Sequence, residues 1–335
     1  MTAADVIVVN TLGGALRHYT VGLVASISAS GARVSVVHVD EPSRAGGNGL
    51  GWVRRYVLAL WSARRSARRS GARVIVTWPV LGHLDRLIVR VALGRAVDSS
   101  LVMHDPRPLV PARGYGRVAR RLADRCRVEV VVHSGTAAAA LAEDCPDLVP
   151  VLLPHPVVPR AVTVPKQATG GRPVVRVLGQ FKPDRDLAVL AGIGARLGDS
   201  HRLEIVGRRW PAVDGWTVTD AFVTEERLDD LMSTAHAVLV PYTRFFQSGI
   251  AIRALELGTP AVGPAGSSMA DLYPDSRYLA DRSVDSWCAA IHAATSASCA
   301  ATRELAARAD IVCRAAWSDW ARDPITATRH RAAVS

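Results

Sequence analysis

The sequence predicts an α/β protein made of two doubly wound parallel sheets in series, and three observations predict it. Its 335 residues exceed what one core ordinarily holds, because single cores stop growing near roughly 250 residues. Short β-branched runs alternate with amphipathic stretches along both halves, which is the rhythm of βαβ units. A Pro- and Gly-dense stretch over 154–173 interrupts that rhythm once, where a linker between domains belongs.

Taken in order, Val6 to Val9 is a first strand, His18 to Ser30 a helix and Arg33 to Val39 a second strand. Further strands follow at Val74–Thr77, Leu101–His104, Val128–His133 and Val151–Leu153, separated by segments long enough for helices. After the linker the pattern restarts with strands at Val174–Leu178, Arg202–Val206, Trp216–Val218, Ala237–Val240 and Ala261–Gly263. The expected organisation is a first Rossmann-like domain over 1–160, a second over 161–316, and a closing helix and tail over 317–335. Two such sheets in series predict a cleft facing the carboxyl ends of both sets of strands.

Composition narrows the function classes. The five cysteines are scattered without Cys-x-x-Cys spacing, so free thiols in a reducing compartment are expected. The start of the chain reads as a strand rather than a signal peptide, and no run approaches the roughly 18 apolar residues of a spanning helix. A cytoplasmic protein is expected, with the inner membrane face as a further location. The net charge of +11 is concentrated in residues 1–160, which hold 21 Arg against 11 acidic residues. A basic half suits an anionic partner: phosphate groups, a membrane face or nucleic acid. Aromatic residues are only 5% and no nucleic-acid module is present, so nucleic acid is not an expected partner.

Several segments carry chemistry. Leu178 to Leu187 closes a strand and brings Lys182 and Arg185 to its carboxyl end beside Gly179, a diphosphate clamp or two solvated charges. Pro241 to Val262 reads strand end, loop, helix, turn, strand. Ser248 suits an N-cap and Gly249 close approach, so the helix start would face an anion or serve capping alone. Tyr242, Ile250 and Arg253 are further donor-facing candidates in that segment. His104 and Asp105 end a first-domain strand where ligands gather. They are the catalytic candidates, able to guide or remove an acceptor proton, although Asp105 before Pro106 also suits a turn cap. His18, His83 and His133 are read as structural or solvated. Over 52–70, helical projection gathers Arg54, Arg55, Arg64, Arg65, Arg68 and Arg69 on one arc, with Trp52, Tyr56 and Leu60 opposite. That arc suits anionic headgroups, an acceptor phosphate or plain solvation.

These segments resemble the GT-B glycosyltransferases of the family 4 type. Gly258-Thr259-Pro260-Ala261-Val262 looks like that family's helix-turn-strand signature, and Gly179 to Leu187 like its diphosphate element. Gly13-Gly14, followed by Arg17-His18-Tyr19, resembles the N-terminal Gly-Gly loop near acceptor and donor phosphate. Leu153-Pro154-His155-Pro156 looks like the interdomain segment, and Trp317-Ser318-Asp319-Trp320 like the closing helix that crosses back to the first domain. Phe245 and Arg253 stand where the family has its Glu-x7-Glu pair, and Gln180 replaces the first Arg of the diphosphate element. The Ser-Gly form is similar to the exopolysaccharide-type branch. Arg253 then either reaches a phosphate or is a helix-surface charge.

The resemblance implies transfer of a sugar from a nucleotide-diphosphate donor, neutralised by Lys182 and Arg185, to a hydroxyl acceptor, and the basic first half suggests a glycan or lipid-linked acceptor at the membrane face. It implies retention, whereas Asp105 acting as a base would suit inversion. No cofactor and no metal are expected, since cationic side chains do the neutralising. A sugar-nucleotide epimerase or hydrolase of the same fold is the alternative enzyme, and an anionic-surface-binding protein the alternative of another class.

Overall fold

A computed structural model describes residues 5–41, 49–108, 112–126, 128–160, 171–274 and 276–322. The chain divides into two compact units, 1–156 with 311–335, and 157–310. The predicted linker residues 161–170 and the tail beyond 322 lie outside the described residues.

The first unit is a six-stranded parallel sheet in the order β2-β1-β3-β4-β5-β6. Its strands are β1 (Asp5–Asn10), β2 (Arg33–His38), β3 (Arg73–Val76), β4 (Ser99–Val102), β5 (Glu129–Val132) and β6 (Val151–Leu152). Its helices are α1 (Arg17–Ser28), α2 (Gly49–Ser70), α3 (Leu84–Leu93), α4 (Arg117–Asp124) and α5 (Gly135–Asp144). The run Val6-Ile7-Val8-Val9 is apolar throughout because both faces of a parallel sheet are covered. Alternation then sorts it. Val6 and Val8 pack with Tyr19, Leu23 and Ile27 of α1, and Ile7 and Val9 pack with Tyr56 and Leu60 of α2 and Val89 and Leu93 of α3. Right-handed crossovers explain the split, because β1 to β2 runs one way across the sheet and β2 to β3 and β3 to β4 run the other.

The second unit repeats the plan, with sheet order β12-β11-β10-β7-β8-β9. Its strands are β7 (Val174–Leu178), β8 (Arg202–Val206), β9 (Thr217–Thr219), β10 (Ala237–Leu239), β11 (Ala261–Pro264) and β12 (Leu279–Ala280). The helices are α6 (Leu187–Leu197), α7 (Glu225–Ser233), α8 (Gly249–Glu256), α9 (Met269–Leu272), α10 (Val284–Ser296) and α11 (Cys299–Arg322). Side chains cap the starts of α6, α7, α8 and α10: Asp186, Thr224, Ser248 and Ser283 each accept a backbone N–H three residues on. Every strand expected from the sequence is present. β12 was not expected from the sequence.

From residue 311 onward α11 belongs to the first unit. Cys313, Trp317 and Trp320 bury themselves against the α1 face of its sheet. Trp317 Nε1 donates to the Pro154 carbonyl at 2.9 Å. Trp320 Nε1 donates to Glu129 Oε1 at 2.8 Å, and its ring lies 3.9 Å from the guanidinium carbon of buried Arg73. The closing helix is therefore fastened by packing and by hydrogen bonds together. Trp317→Phe removes a fully buried donor and leaves its cavity partly empty, and we expect thermal melts to show a loss of about 2 kcal/mol.

Candidate active site

In each sheet the strand order reverses at one place, between β1 and β3 in the first unit and between β7 and β10 in the second. Loops leaving the carboxyl ends of strands diverge there and open a crevice. The predicted donor-binding and catalytic residues lie on the elements that form these two rims.

On the second sheet, β7 ends at Leu178 and Gly179 takes a left-handed φ of 93°. A Cβ on Gly207, after β8, would stand 2.0 Å from the Gly179 carbonyl oxygen, so only glycine permits this approach. Trp210 Nε1 donates to that carbonyl at 2.8 Å, and the Phe181 N–H donates to the Arg208 carbonyl at 2.9 Å. The two loops are thus knitted into one ledge.

Arg185 crosses from this ledge to the loop after β10. It is buried, donates from Nη2 to the Leu178 and Gln180 carbonyls at 2.9 and 3.4 Å, and lies between the rings of Trp210 and Tyr242 at 4.9 and 4.5 Å. Burial pulls its pKa below the ordinary guanidinium value, with Tyr242 opposing. Its Nε is buried and has no hydrogen-bond partner within the protein. Lys182 is exposed on the same ledge. Arg208 and Arg209 are exposed beside it; Arg208 lies over the ring of Phe222 at 5.2 Å, and Arg209 takes a φ of 65° with its N–H given to Asp220 Oδ1 at 2.9 Å. These two arginines were not among the residues singled out from sequence. Gly207 followed by Arg208 and Arg209 at the end of β8 resembles Gly179 followed by Lys182 at the end of β7, and that likeness is the signal for them.

The start of α8 stands in the same loop system. Ser248 Oγ accepts the Ala251 N–H at 3.3 Å, and a Cβ on Gly249 would meet nothing within 4 Å, so the helix start faces open space. Ile250 is half-buried next to it. Arg253 goes elsewhere: it is buried and makes ion pairs with Glu225 and Asp229 of α7. Its charge is spent inside the unit and binds α8 to α7. Glu256, also buried, accepts the Val158 N–H at 2.8 Å.

On the first sheet the rim is built of rings. His104, after β4, donates from Nε2 to the Thr77 carbonyl at 2.9 Å. It stacks on Trp78 at 5.3 Å and meets the edge of Tyr19 at 4.7 Å. His133, after β5, donates from Nδ1 to the Leu153 carbonyl at 2.8 Å and accepts the Tyr19 hydroxyl on Nε2 at 3.0 Å. Burial, then the neighbouring His104 and His155, hold His133 well below its ordinary pKa. Burial likewise lowers His155 to about 3. Burial thus favours neutral, hydrogen-bonded rings at His133 and His155. Asp105 lies half-buried beside His104, and its charge contributes to a raised Tyr115 pKa, of which burial is the larger cause. Trp78, Tyr19 and His155 were not picked out from sequence as candidates.

Gly13 and Gly14 lie against acidic groups. A Cβ on Gly13 would stand 2.7 Å from Asp40 Oδ1, and the Gly14 N–H donates to Glu41 Oε2 at 3.1 Å. Carboxylates at this loop suit sugar hydroxyls better than phosphate. Of the six arginines on α2, Arg54, Arg65, Arg68 and Arg69 are exposed. Arg55 and Arg64 turn inward, donating to the carbonyls of Asp40 and Ala92, each at 3.2 Å.

Between α3 and the loop before it, Asp85 and His83 are buried, and Asp85 Oδ1 and both ring nitrogens of His83 lack partners. Burial pushes the Asp85 carboxyl up to about 6, against the pull of the Leu81 N–H, and lowers His83 to about 4. An acid whose folded pKa is raised costs stability as pH rises through that window. Asp85→Asn is therefore expected to melt higher than wild type above pH 6, by up to about 3 kcal/mol. The gain should vanish below about pH 4 in paired melts across that range.

No family model matches the chain, and no curated protein matches it. Solved structures do match over nearly the whole length. Sucrose-phosphate synthase from Thermosynechococcus elongatus superposes with a TM-score of 0.62 at 15% identity, covering 99% of this chain and 100% of that one. A glycosyltransferase from Rickettsia africae gives 0.64 at 8% identity over 94% and 96%. Anabaena HepE, solved with UDP-glucose, gives 0.55 at 12% identity over 98% of both chains. The chain therefore has the fold of these enzymes, the two-domain α/β architecture of GT-B glycosyltransferases.

Proposed function

We propose that the protein is a glycosyltransferase that moves a sugar from a nucleotide-diphosphate sugar to a hydroxyl of a glycan or lipid-linked acceptor, with retention of configuration and without a metal. The observation that carries this reading is the cationic ledge at the switch point of the second sheet. There the exposed Lys182, Arg208 and Arg209 and the buried guanidinium of Arg185 gather where β7, β8 and β10 end. Such a ledge neutralises the diphosphate as the bond to the anomeric carbon breaks. The HepE structure holds UDP-glucose, and a trehalose-6-phosphate structure from E. coli holds UDP-2-fluoro glucose. The same donor class is proposed here.

The ring-lined rim of the first unit suits an acceptor. Trp78 offers an apolar face for a sugar ring, and Asp40 and Glu41 accept hydroxyl protons. His104 borders this rim, and the proton of the attacking hydroxyl leaves with the departing diphosphate. Family 4 membership, a role in polysaccharide assembly and a location on the cytoplasmic membrane face belong to the same proposal.

A thermal-shift panel of nucleoside diphosphates, with magnesium and with EDTA, tests it. We expect one base to raise the melting temperature equally in both, and Lys182→Ala with Arg208→Ala to weaken that shift about tenfold in concentration. Absence of any shift would sink the donor site. Donor turnover that does not depend on added acceptor would favour the hydrolase reading, and an inverted product would move Asp105 to the role of base.

A further inference from the structure

The helical layer α2-α3-α4, on one face of the first sheet, carries more than arginines on its outer side. On α2, Leu50, Leu58 and Trp61 are 81%, 50% and 48% exposed. Helical projection sets them on the same arc of about 100° as Arg54, Arg65 and Arg68. On α4, Val118 and Leu122 are 72% and 47% exposed, and they alternate with exposed Arg117 and Arg121. Val91 of α3, 69% exposed, lies on the helix between them.

The layer has almost no compensating acid. α2 contains none, Asp85 of α3 is buried, and Asp124 of α4 is paired with Arg86 at 3.3 Å. An ordinary solvated helix face mixes both signs and hides its tryptophan. This one interleaves cations with large apolar side chains across neighbouring helices.

We propose that this face rests on an anionic lipid bilayer, with the arginines among the headgroup phosphates and Trp61, Leu58 and Val118 inserted at the acyl boundary. The proposal deepens the lipid-linked acceptor reading and rests on it only for what the bilayer delivers. Phosphate charge alone would be met equally well by a polynucleotide, but a polynucleotide offers nothing to Leu50, Leu58, Val91 and Val118, whereas a bilayer does. Tryptophan is also the residue that settles at headgroup depth. Each cation at such a surface adds about fivefold to binding. The near end of the layer meets the acceptor rim: Trp52 Nε1 donates to the Thr11 carbonyl at 3.0 Å, and the His83 N–H donates to the Gly114 carbonyl, just before α4, at 2.9 Å. Lying on lipid, the face would bring the rim of Trp78 and His104 beside membrane-anchored acceptors.

The test is co-sedimentation of the full chain with phosphatidylcholine vesicles, with and without phosphatidylglycerol, at physiological ionic strength. We expect binding at least about tenfold stronger to the anionic vesicles, and a loss of about tenfold in the double variant Trp61→Asp, Val118→Asp. Both positions are exposed, so that variant should keep its melting temperature and its nucleotide-induced shift. Equal binding to both vesicle types, no binding, or binding that the apolar variant leaves unchanged would overturn the proposal. So would duplex DNA that binds wild type and the apolar variant alike and displaces both from vesicles. A nucleotide shift without vesicle binding leaves the transferase reading standing, and vesicle binding without any nucleotide shift leaves only this proposal.

Discussion

Arg185→Ala is expected to abolish the nucleotide-induced thermal shift and, in the free protein, to cost about 3 kcal/mol of unfolding free energy. Both effects come from one side chain in two roles. Toward the protein, Arg185 ties the β7 and β10 loops together through the Leu178 and Gln180 carbonyls and the Trp210 and Tyr242 rings. Toward a ligand, its guanidinium adds positive charge beneath the ledge from a buried, low-dielectric setting, where charge acts strongly. Arg185→Lys should keep the charge yet recover little stability, because an ammonium cannot fork to two carbonyls while lying flat between two rings. Lys182 provides the contrast. It is exposed, so Lys182→Ala should leave unfolding within about 0.5 kcal/mol of wild type and reduce nucleotide affinity alone. Denaturant melts with and without nucleoside diphosphate separate the two. If Arg185→Ala still binds nucleotide normally, the ledge is a structural device and the donor lies elsewhere.

The sheet architecture was legible because parallel strands covered on both faces are written as near-continuous apolar runs. Val6 to Val9, Val74 to Val76 and Val174 to Leu178 read as strands for the same physical reason that they pack as strands. The start of α8 was legible too, since Ser248 and Gly249 announce a cap by their chemistry. What sequence left hidden is side-chain direction. Nothing in the spacing of Arg253 says that it turns toward α7 rather than toward a phosphate; that depends on Glu225 and Asp229 arriving from another helix. Arg55 and Arg64 share the arginine-rich pattern of α2, yet their guanidinium groups are drawn to carbonyls that only the fold brings near. Trp61 stayed hidden for the opposite reason: tryptophan is ordinarily taken for core, and only its exposure shows that here it is not. The ring cluster of Tyr19, His104, His133 and His155 joins helix α1 to three loops from distant parts of the chain, so no local motif could report it.

Arg253→Glu places a carboxylate where the family 4 pattern has one, and it is expected to damage the protein rather than repair a donor site. In the present chain the guanidinium is buried between the carboxylates of Glu225 and Asp229, and Asp229 is shared with Arg160 at 2.7 Å. Burial pushes the Asp229 carboxyl up, but the hydrogen bonds and charges of Arg253 and Arg160 outweigh it and hold it below its ordinary pKa. A carboxyl held low contributes stability above its unfolded pKa and loses it as pH falls through the lower folded value. In wild type, then, the α7–α8 contact should persist at neutral pH and weaken only in strong acid. Arg253→Glu reverses the sign: three carboxylates meet in a half-buried space, and the loss should be about 3–5 kcal/mol at pH 7. Protonation relieves that repulsion, so the variant should recover part of its stability between about pH 6 and pH 4, where wild type gains nothing from this cluster. Arg253→Met separates charge from shape, with an intermediate loss and no such recovery. Melts of the three proteins across that range decide the matter, and an Arg253→Glu protein as stable as wild type at pH 7 would mean that the ion pairs with α7 do not hold α8 in place.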